Sequence, residues 1–410
     1  MNFYRSCIAS ASDFAPSYSA QVNGNIFQTS FENAYAGKTD FNSAVVVGNN
    51  VINCINAFAG CTNLNQSVRF ENSASDIKCR NMFRGCTKFN SAVTGSRPIS
   101  MADNMFAGCS SLVGNINLQN VSDGENMFSG CASLAENINI GFLSTNKIGN
   151  IFNGCVSLNH DIVLNGVTDY DGSMMFANHQ GLNRNIMINN ATNCYMMFYG
   201  CSKLVGNVSV GNAYSKNCQS MFYGCSNLSS ASVENISNQV SMFFGCANLA
   251  TVNMNGGVND WSDTFHGCRS LNSNIDLAGG TNFVNTFRNC TSLNQHIVVP
   301  RSFNESCNAM FDGCTSIREV TLNFLLNKFT CIGLFNNRKV TTPLKIYTRE
   351  SFNNDVVNTS VNMLFGYNSG HYTSVFNSNG IRHIICNDWI NFYNHDLGRY
   401  DIEIICNILS

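Results

Sequence analysis

A nine-residue motif recurs along most of this chain, and a tandem repeat of this kind restricts the fold more than any other feature. The segment NMFAGCSSL at 104–112 returns as NMFSGCASL at 126–134, and successive copies are 21 to 25 residues apart. Repeats of this length build solenoids, in which each coil packs only on its neighbours. With the motif phenylalanine as position 0, the copies are centred on Phe58, Phe83, Phe106, Phe128, Phe152, Phe176, Phe198, Phe222, Phe243, Phe265, Phe287, Phe311 and Phe335, and Tyr35 begins the series with a weaker copy.

Cysteine lies at positions −4 and +3 of the motif, as in Cys194 and Cys201 around Phe198. Together with the phenylalanine these residues have i, i+4, i+7 spacing, which predicts the buried face of a short helical turn. Glycine follows at +2, and asparagine replaces it at 178, 289 and 337. Because these two residue types best tolerate a left-handed backbone, we expect the turn to end in a left-handed cap.

Leucine at +6 and an alternating apolar stretch such as Ile116-Asn117-Leu118 complete each copy. Alternation with period two predicts a half-buried strand, and equivalent strands of successive coils would stack in parallel. The predicted fold is an α/β solenoid, a leucine-rich-repeat-like stack of about 14 coils with parallel strands and short helical turns, capped at both ends. We assign residues 1–30 to an N-terminal cap or attachment arm, 31–340 to the solenoid, and 341–410 to degenerate repeats and a C-terminal cap.

The repeat resembles the BspA-type leucine-rich repeats, whose signature MFxGCxxLxxxIxL is matched in register about a dozen times between residues 31 and 340. This family occurs in bacterial surface proteins, mycoplasma lipoproteins and some phage proteins. The resemblance implies a non-enzymatic scaffold for adhesion or recognition. No signal peptide, lipobox or C-terminal sorting tail is recognisable in the sequence, which favours a phage virion component over a cell-anchored adhesin.

The charge and hydropathy of the chain argue against two classes of partner. Charged residues make up only 12% of the chain, and 23 Lys+Arg against 25 Asp+Glu leave a net charge of −2. This balance provides no field to hold a nucleic-acid backbone or an anionic membrane. No apolar stretch approaches the roughly 18 residues that a spanning helix needs. We therefore expect neither nucleic-acid binding nor membrane insertion.

Most cysteines and the repeated glycines, which in other proteins can be catalytic, metal-binding or phosphate-binding residues, occupy fixed positions of the repeat. Of the 20 cysteines, 17 lie at the two motif positions, and none forms a Cys-x-x-Cys pair. We predict buried reduced thiols, without disulfides or zinc, in a protein made in a reducing cytoplasm. The seven histidines occupy unrelated motif positions, and each repeated glycine belongs to the turn. We therefore predict no catalytic residue, no metal and no cofactor, and hence no enzyme.

The +1 position, between the buried phenylalanine and the glycine, is expected to face solvent. Successive coils carry Ala107, Ser129, Asn153 and Ala177 there, followed by large residues in five adjacent coils. Contiguous exposed aromatic side chains usually mark a contact surface, and we expect one for protein or sugar. In the alternative interpretation, the rings only shield one another or cover a neighbouring loop. The five large residues, which we call the aromatic row, are Tyr199, Tyr223, Phe244, His266 and Arg288.

The sequence favours a non-enzymatic recognition or structural component of a phage particle, fibre-like or receptor-binding, over a bacterial surface adhesin. Its expected partners are other virion proteins, or a protein or glycan of the host-cell surface. An end segment provides a further site, for attachment or for homo-oligomer formation. The expected location is the virion, with the bacterial cell surface as the alternative.

Overall fold

The computed structural model shows a parallel β-solenoid of the leucine-rich-repeat-like kind. The structure describes residues 20–22, 29–95, 97–114, 116–135, 138–142, 147–159, 163–165, 169–211, 216–254, 260–300, 306–323, 332–335, 344–348, 372–376, 381–386 and 402–406. These residues contain 23 short strands and no helix. The strands are β1 (Ala20–Val22), β2 (Val45–Val47), β3 (Val68–Phe70), β4 (Ile77–Lys78), β5 (Val93–Gly95), β6 (Ile99–Met101), β7 (Ile116–Val121), β8 (Asn139–Phe142), β9 (Val163–Asn165), β10 (Tyr170–Asp171), β11 (Ile186–Asn189), β12 (Ala191–Asn193), β13 (Val208–Gly211), β14 (Lys216–Asn217), β15 (Ser230–Val233), β16 (Ile236–Asn238), β17 (Thr251–Met254), β18 (Ile297–Val299), β19 (Glu319–Leu322), β20 (Leu344–Thr348), β21 (Tyr372–Phe376), β22 (Ile381–Cys386) and β23 (Ile402–Cys406).

The chain divides into two compact units, and unit 1 comprises Met1–Asn183 with Asn190–Asn193. In its main sheet, β1, β2, β3, β5, β7, β8 and β9 pair in parallel in that order. The register places Val45 beside Val68, and Val68 beside Val93. All three valines are buried, so the inward positions of the strands form one wall of the core. A second parallel column is made by β4 and β6, and β10 pairs with β12.

Unit 2 comprises Arg184–Asn189 and Cys194–Ser410. Strands β11, β13, β15 and β17 pair in parallel, and β14 pairs with β16. A further sheet begins with the parallel strands β18, β19, β20 and β23, and then continues with β22 and β21 in antiparallel orientation.

The segment around each motif phenylalanine is not the helical turn that its spacing predicted. Positions −4, 0 and +3 are all buried, as in Cys54, Phe58 and Cys61. However, Cys61 N donates a hydrogen bond to Phe58 O, three residues back, and alternate N–H groups donate to carbonyls of the next coil. Cys54 N donates to Lys78 O (2.7 Å) and Phe58 N to Met82 O (2.9 Å). An α-helix would direct these N–H groups to carbonyls four residues back, so pairing with the next coil replaces the helix.

Two left-handed residues in each turn segment give the backbone this path. Gly130 at +2 has φ 76°, and Asn178 and Asn289 occupy the same position with φ 61° and 62°. The predicted left-handed backbone at +2 is therefore confirmed, although position 337 lies outside the described residues. A second left-handed position, −2, was not predicted, and Asn126 has φ 56° there.

The motif phenylalanines form a stack of nearly parallel rings in each unit. In unit 1 the ring centroids of Phe83 and Phe106 are 5.4 Å apart, and in unit 2 those of Phe243 and Phe265 are 5.5 Å apart. All four side chains are fully buried. Nearly parallel rings at this distance are offset, an arrangement worth about 0.5–1.5 kcal/mol per pair beyond the burial of area. The stack and the buried +6 leucines make up much of the core.

The thiols at +3 pack in the core and also donate hydrogen bonds to the backbone. In the described residues 16 cysteines are buried and form no disulfide. Cys109 Sγ donates a hydrogen bond to Phe83 O, and Cys268 Sγ donates one to Phe243 O, each at 3.1 Å and each to the preceding coil. Burial raises the pKa of the Cys131 thiol to about 12, so this thiol stays protonated and unreactive at neutral pH.

The described residues make about 11 solenoid turns, fewer than the 14 expected from the motif copies. The copy at Phe335, for example, is followed by residues 336–343, which lie outside the described part. Cys7, Cys331 and most of the segments 1–30 and 341–410 also lie outside it. The attachment arm and the two caps therefore remain predictions.

Candidate functional site

The aromatic row lies on the turn segments of five consecutive coils, all within unit 2. Each member follows the buried residue at position 0 and precedes the left-handed residue at +2. Tyr223, for instance, lies between fully buried Phe222 and Gly224, whose φ is 75°. All five members of the row are half-buried. The repeat thus brings residues that are more than twenty positions apart in sequence onto one surface.

The four rings of the row contact one another directly. Tyr199 and Tyr223 stack with centroids 5.0 Å apart, and Tyr223 and Phe244 stack at 4.6 Å with only 3° between their planes. The His266 ring follows at 4.5 Å from Phe244 and is tilted by 58°. The rings shield one another's faces, as the alternative interpretation expected, and each remains partly accessible. Because neighbours cover both faces of Tyr223 and Phe244, the accessible parts of these two rings are their edges.

Two carboxylates contact His266 and Arg288 at one end of the row. Asp263 Oδ1 lies 2.9 Å from His266 Nδ1. Asp312 Oδ2 lies 3.0 Å from Arg288 Nε, and the side chain of Asp312 is only 4% exposed whereas that of Arg288 is 40% exposed. These acids were not predicted as site residues. A signal existed for Asp312, because it occupies the +1 position of the next coil, whereas Asp263 occupies position −2, where most coils carry an uncharged residue.

Several coils depart from the repeat at the left-handed −2 position, and Met174 and Ala309 do so outside the row. In unit 1 this position carries asparagine in six coils, and the amides bond from coil to coil, as from Asn81 Nδ2 to Asn56 Oδ1 at 3.0 Å. Four of the five row coils have another residue there with φ between 52° and 55°. A left-handed backbone at a residue other than Gly, Asn or Asp costs on the order of 1 kcal/mol, so the coils with Met196, Ser220 and Ser241 tolerate local strain. The four residues are Met196, Ser220, Ser241 and Asp263.

The row is bordered by polar side chains four and five positions beyond the phenylalanine. Lys203 and Arg269 are exposed there. Between them in sequence, Asn248 Nδ2 donates to Asn227 Oδ1 at 3.1 Å, so the amides form a polar border from coil to coil. A centre of aromatic residues with a polar border is the usual anatomy of a protein contact surface.

A family model described as "Mycoplasma protein of unknown function, DUF285" matches residues 27–141, 99–211, 142–236 and 216–324. These overlapping matches include every member of the aromatic row and together cover more than half of the chain. The chain belongs to this family. The leucine-rich-repeat-like fold of this chain agrees with the fold class predicted from its sequence repeat. The narrower BspA-type assignment stays a prediction. No curated protein matches the sequence.

Three solved structures are similar to this chain at low identity. A leucine-rich repeat protein from Bacteroides ovatus is 21% identical with a TM-score of 0.48, over 74% of this chain and 87% of that one. A leucine rich cell surface protein from Faecalibacterium prausnitzii is 14% identical with a TM-score of 0.38, over 80% and 92%. An internalin from Listeria monocytogenes is 12% identical with a TM-score of 0.28, over 78% of each chain. The function of the present chain must therefore be argued from its own surface.

Within the described ranges, no three His, Cys, Asp or Glu side chains are grouped closely enough to hold a metal ion. The same ranges contain no apolar helix of the length that a bilayer crossing requires. The groups that the row offers are ring edges, tyrosine hydroxyls, an imidazole and a guanidinium, which suit non-covalent recognition.

One histidine has a different role. His179 occupies the +3 position around Phe176 in unit 1, where most coils have cysteine. The side chain is fully buried, and neither ring nitrogen has a hydrogen-bond partner among the described residues. Burial lowers the pKa of this imidazole from 6.5 to about 4, so the ring is neutral at neutral pH. His179 is therefore a core residue whose protonation opposes folding.

Acid is expected to destabilise unit 1 through His179. Because the pKa is lower in the folded state, the unfolded chain takes up the proton first, and stability is lost as the pH falls from 6.5 to about 4. Between about pH 7 and about pH 4.5 the free energy of unfolding should fall by roughly 2–3 kcal/mol from this group. Urea denaturation at the two pH values measures it. His179→Cys should remove this part of the loss, and His296→Gln in unit 2 should not; equal acid dependence of wild type and His179→Cys would contradict the assignment.

Proposed function

We propose that this chain is a non-enzymatic recognition protein and that the aromatic row is its contact surface. One observation carries the proposal: stacked, half-buried rings occupy +1 in adjacent coils of unit 2, whereas Ala107 and Ser129 occupy it in unit 1. A row that served only to stabilise the stack would be equally useful in every coil. Its confinement to adjacent coils favours selection for binding.

The composition of the row matches residues that dominate binding energy at protein interfaces. Tyrosine and arginine are enriched among them, and they act best at the centre of a patch with a polar border. The rings also lose little conformational freedom on binding because they are already stacked on one another. The row is therefore a preorganised surface.

Within this function, we place the protein in a phage particle, bound to other virion proteins or to the host-cell surface. The buried thiol ladder supports this location, because free thiols that donate to backbone carbonyls suit a chain that folds in a reducing cytoplasm. The alternative is a bacterial surface adhesin. It is supported by the family description, which names a protein of a cellular organism. An antibody against the chain distinguishes the two: signal in purified particles supports the first, and signal only on the surface of intact cells supports the second.

The double variant Tyr223→Ala, Phe244→Ala tests the contact surface. Both rings are half-buried on the outside of the turn, so their removal should lower the free energy of unfolding by only about 0.5–1 kcal/mol. Loss of interface aromatic residues commonly costs about 2 kcal/mol or more each in binding. We expect an almost unchanged thermal midpoint and a clear loss of incorporation into particles or of attachment to host cells.

The matched control is Ser129→Ala with Asn153→Ala, which changes +1 residues of two unit 1 coils. This control should behave as wild type in both assays. Normal folding combined with unchanged incorporation and attachment in the Tyr223, Phe244 variant would remove the aromatic row as the contact surface.

A further inference from the structure

We propose that the aromatic row binds an acidic segment of a protein partner, one that presents carboxylates beside aromatic or aliphatic side chains. This inference rests on the proposed function of the row and specifies the chemistry of its ligand. Three features carry it: the covered ring faces, the electropositive ring edges, and the distribution of charged side chains around the row.

At Tyr223 and Phe244, the centre of the row, the stacking geometry disfavours a sugar chain or a nucleobase as the ligand. Both of these classes bind aromatic side chains through the ring face. In the row, Tyr223 has Tyr199 on one side at 5.0 Å and Phe244 on the other at 4.6 Å, and Phe244 lies between Tyr223 and His266. Spacings of this size leave no room for another ring to insert. The same argument excludes a second copy of the row interleaving with the first.

The accessible edges of the rings attract electron-rich groups. An aromatic ring carries partial positive charge along its edge, so a carboxylate oxygen or the face of another aromatic ring is its preferred neighbour. Tyr199 and Tyr223 add phenolic hydroxyl groups, which donate hydrogen bonds to such oxygens. A protein segment supplies both carboxylates and aromatic faces, whereas an acidic polysaccharide supplies carboxylates alone.

The exposed charged side chains of the row coils also favour a ligand with carboxylates. Lys203 and Arg269 are exposed in coils of the row, five and four residues after the motif phenylalanine, and the Arg288 side chain is 40% exposed. Asp263 and Asp312 contact His266 and Arg288 within the row, and half-buried Asp260 accepts a hydrogen bond from Ser262 N.

The other exposed acids of these coils lie on the strand side. Glu234 and Asp276 are eleven or twelve residues beyond their motif phenylalanines, outside the turn segment. Lys203, Arg269 and Arg288 are therefore the most exposed charges of these turn segments, whereas Asp260, Asp263 and Asp312 are partly or fully buried. An acidic partner is complementary to this exposed positive charge.

Binding of labelled random copolymers to the full chain tests the inference by fluorescence anisotropy. A copolymer of glutamate and tyrosine should bind at least about tenfold more tightly than a copolymer of lysine and tyrosine, and more tightly than polyglutamate. Raising the salt from roughly 0.1 M to roughly 1 M should weaken binding, because it screens the exposed cations. Polygalacturonate and a neutral glucan oligosaccharide serve as sugar probes and should bind weakly.

Substitutions in the row coils test whether the copolymer binds at the aromatic row. Tyr223→Ala with Phe244→Ala, and separately Lys203→Gln with Arg269→Gln, should each reduce affinity for the glutamate–tyrosine copolymer by about tenfold or more. Arg84→Gln, which removes an exposed +1 cation in unit 1, should leave the affinity unchanged. Equal binding of the two charged copolymers, tighter binding of polygalacturonate, or affinity that survives the row variants would each overturn the inference. If the copolymer fails to bind while the Tyr223, Phe244 variant still loses incorporation or attachment, the contact surface stands and only its ligand class is wrong.

Discussion

Phe243→Ala is expected to lower the free energy of unfolding by about 3–5 kcal/mol, the usual cost of removing a buried ring from a core that cannot collapse. The Phe243 ring is fully buried and lies between Phe222 at 5.2 Å and Phe265 at 5.5 Å. Both neighbouring coils are held to it by backbone hydrogen bonds, as from Phe243 N to Thr264 O at 2.8 Å, so the cavity is not closed by a small shift. Urea denaturation followed by circular dichroism measures the loss.

Phe243→Leu is the control for this change, because leucine keeps most of the apolar volume and loses the stacking contacts. It should cost clearly less than the alanine variant. A loss below about 1 kcal/mol for Phe243→Ala would contradict a continuous ring stack as the main core element.

Gly130→Val should destabilise unit 1 by about 1–3 kcal/mol or more, whereas Gly130→Asn should be mild. The φ of Gly130 is 76°, a conformation in which a β-branched residue is strongly disfavoured. Steric contact is not the cause, because a Cβ at this position would lie 3.7 Å from Gly108 Cα, an ordinary contact distance. Asn178 and Asn289 show that asparagine fits the equivalent turn.

Chemical denaturation of the two variants beside wild type decides this point. Equal losses for valine and asparagine would show that the +2 position does not require a left-handed backbone in solution. A repeat protein responds mainly through the coils next to the change, so a probe in unit 1 is the appropriate reporter.

The core and the strands were predictable because their signals are local and periodic. Buried cysteines, phenylalanines and leucines recur at fixed offsets, and alternation in Ile116-Asn117-Leu118 gave both the strand and its buried face. The left-handed +2 residue was also predictable, since glycine and asparagine are the residues that tolerate it.

The prediction of a helical turn was wrong for a physical reason. Spacing of i, i+4 and i+7 shows which side chains face inward, but it does not show where the N–H groups donate. In this fold alternate N–H groups bond to the next coil, more than twenty residues away, and no local pattern reports such a bond. The recurrent asparagine at −2, as in Asn104 and Asn126, was the available sign of a second left-handed residue that would interrupt a helix.

The site was predictable as a row but not in its detail. The repeat register alone places Tyr199, Tyr223 and Phe244 on adjacent coils, and the structure brings their rings into contact. The orientation of the rings depends on the distance between coils. The sequence alone therefore could not predict that neighbouring rings cover one another's faces. This orientation supports the proposal of a protein ligand over a sugar.

Site-specific photocrosslinking tests most directly whether the aromatic row is the contact surface. Benzoylphenylalanine in place of Tyr223 keeps an aromatic ring at +1, and the same residue in place of Ser129 puts an equivalent probe at +1 in unit 1. On irradiation of assembled particles or of host cells with bound protein, the probe at 223 should form a covalent adduct with a partner protein, and the probe at 129 should form none. Adducts of equal yield from both positions, or none at 223 while the variant still assembles or attaches, would contradict the proposed role of the row.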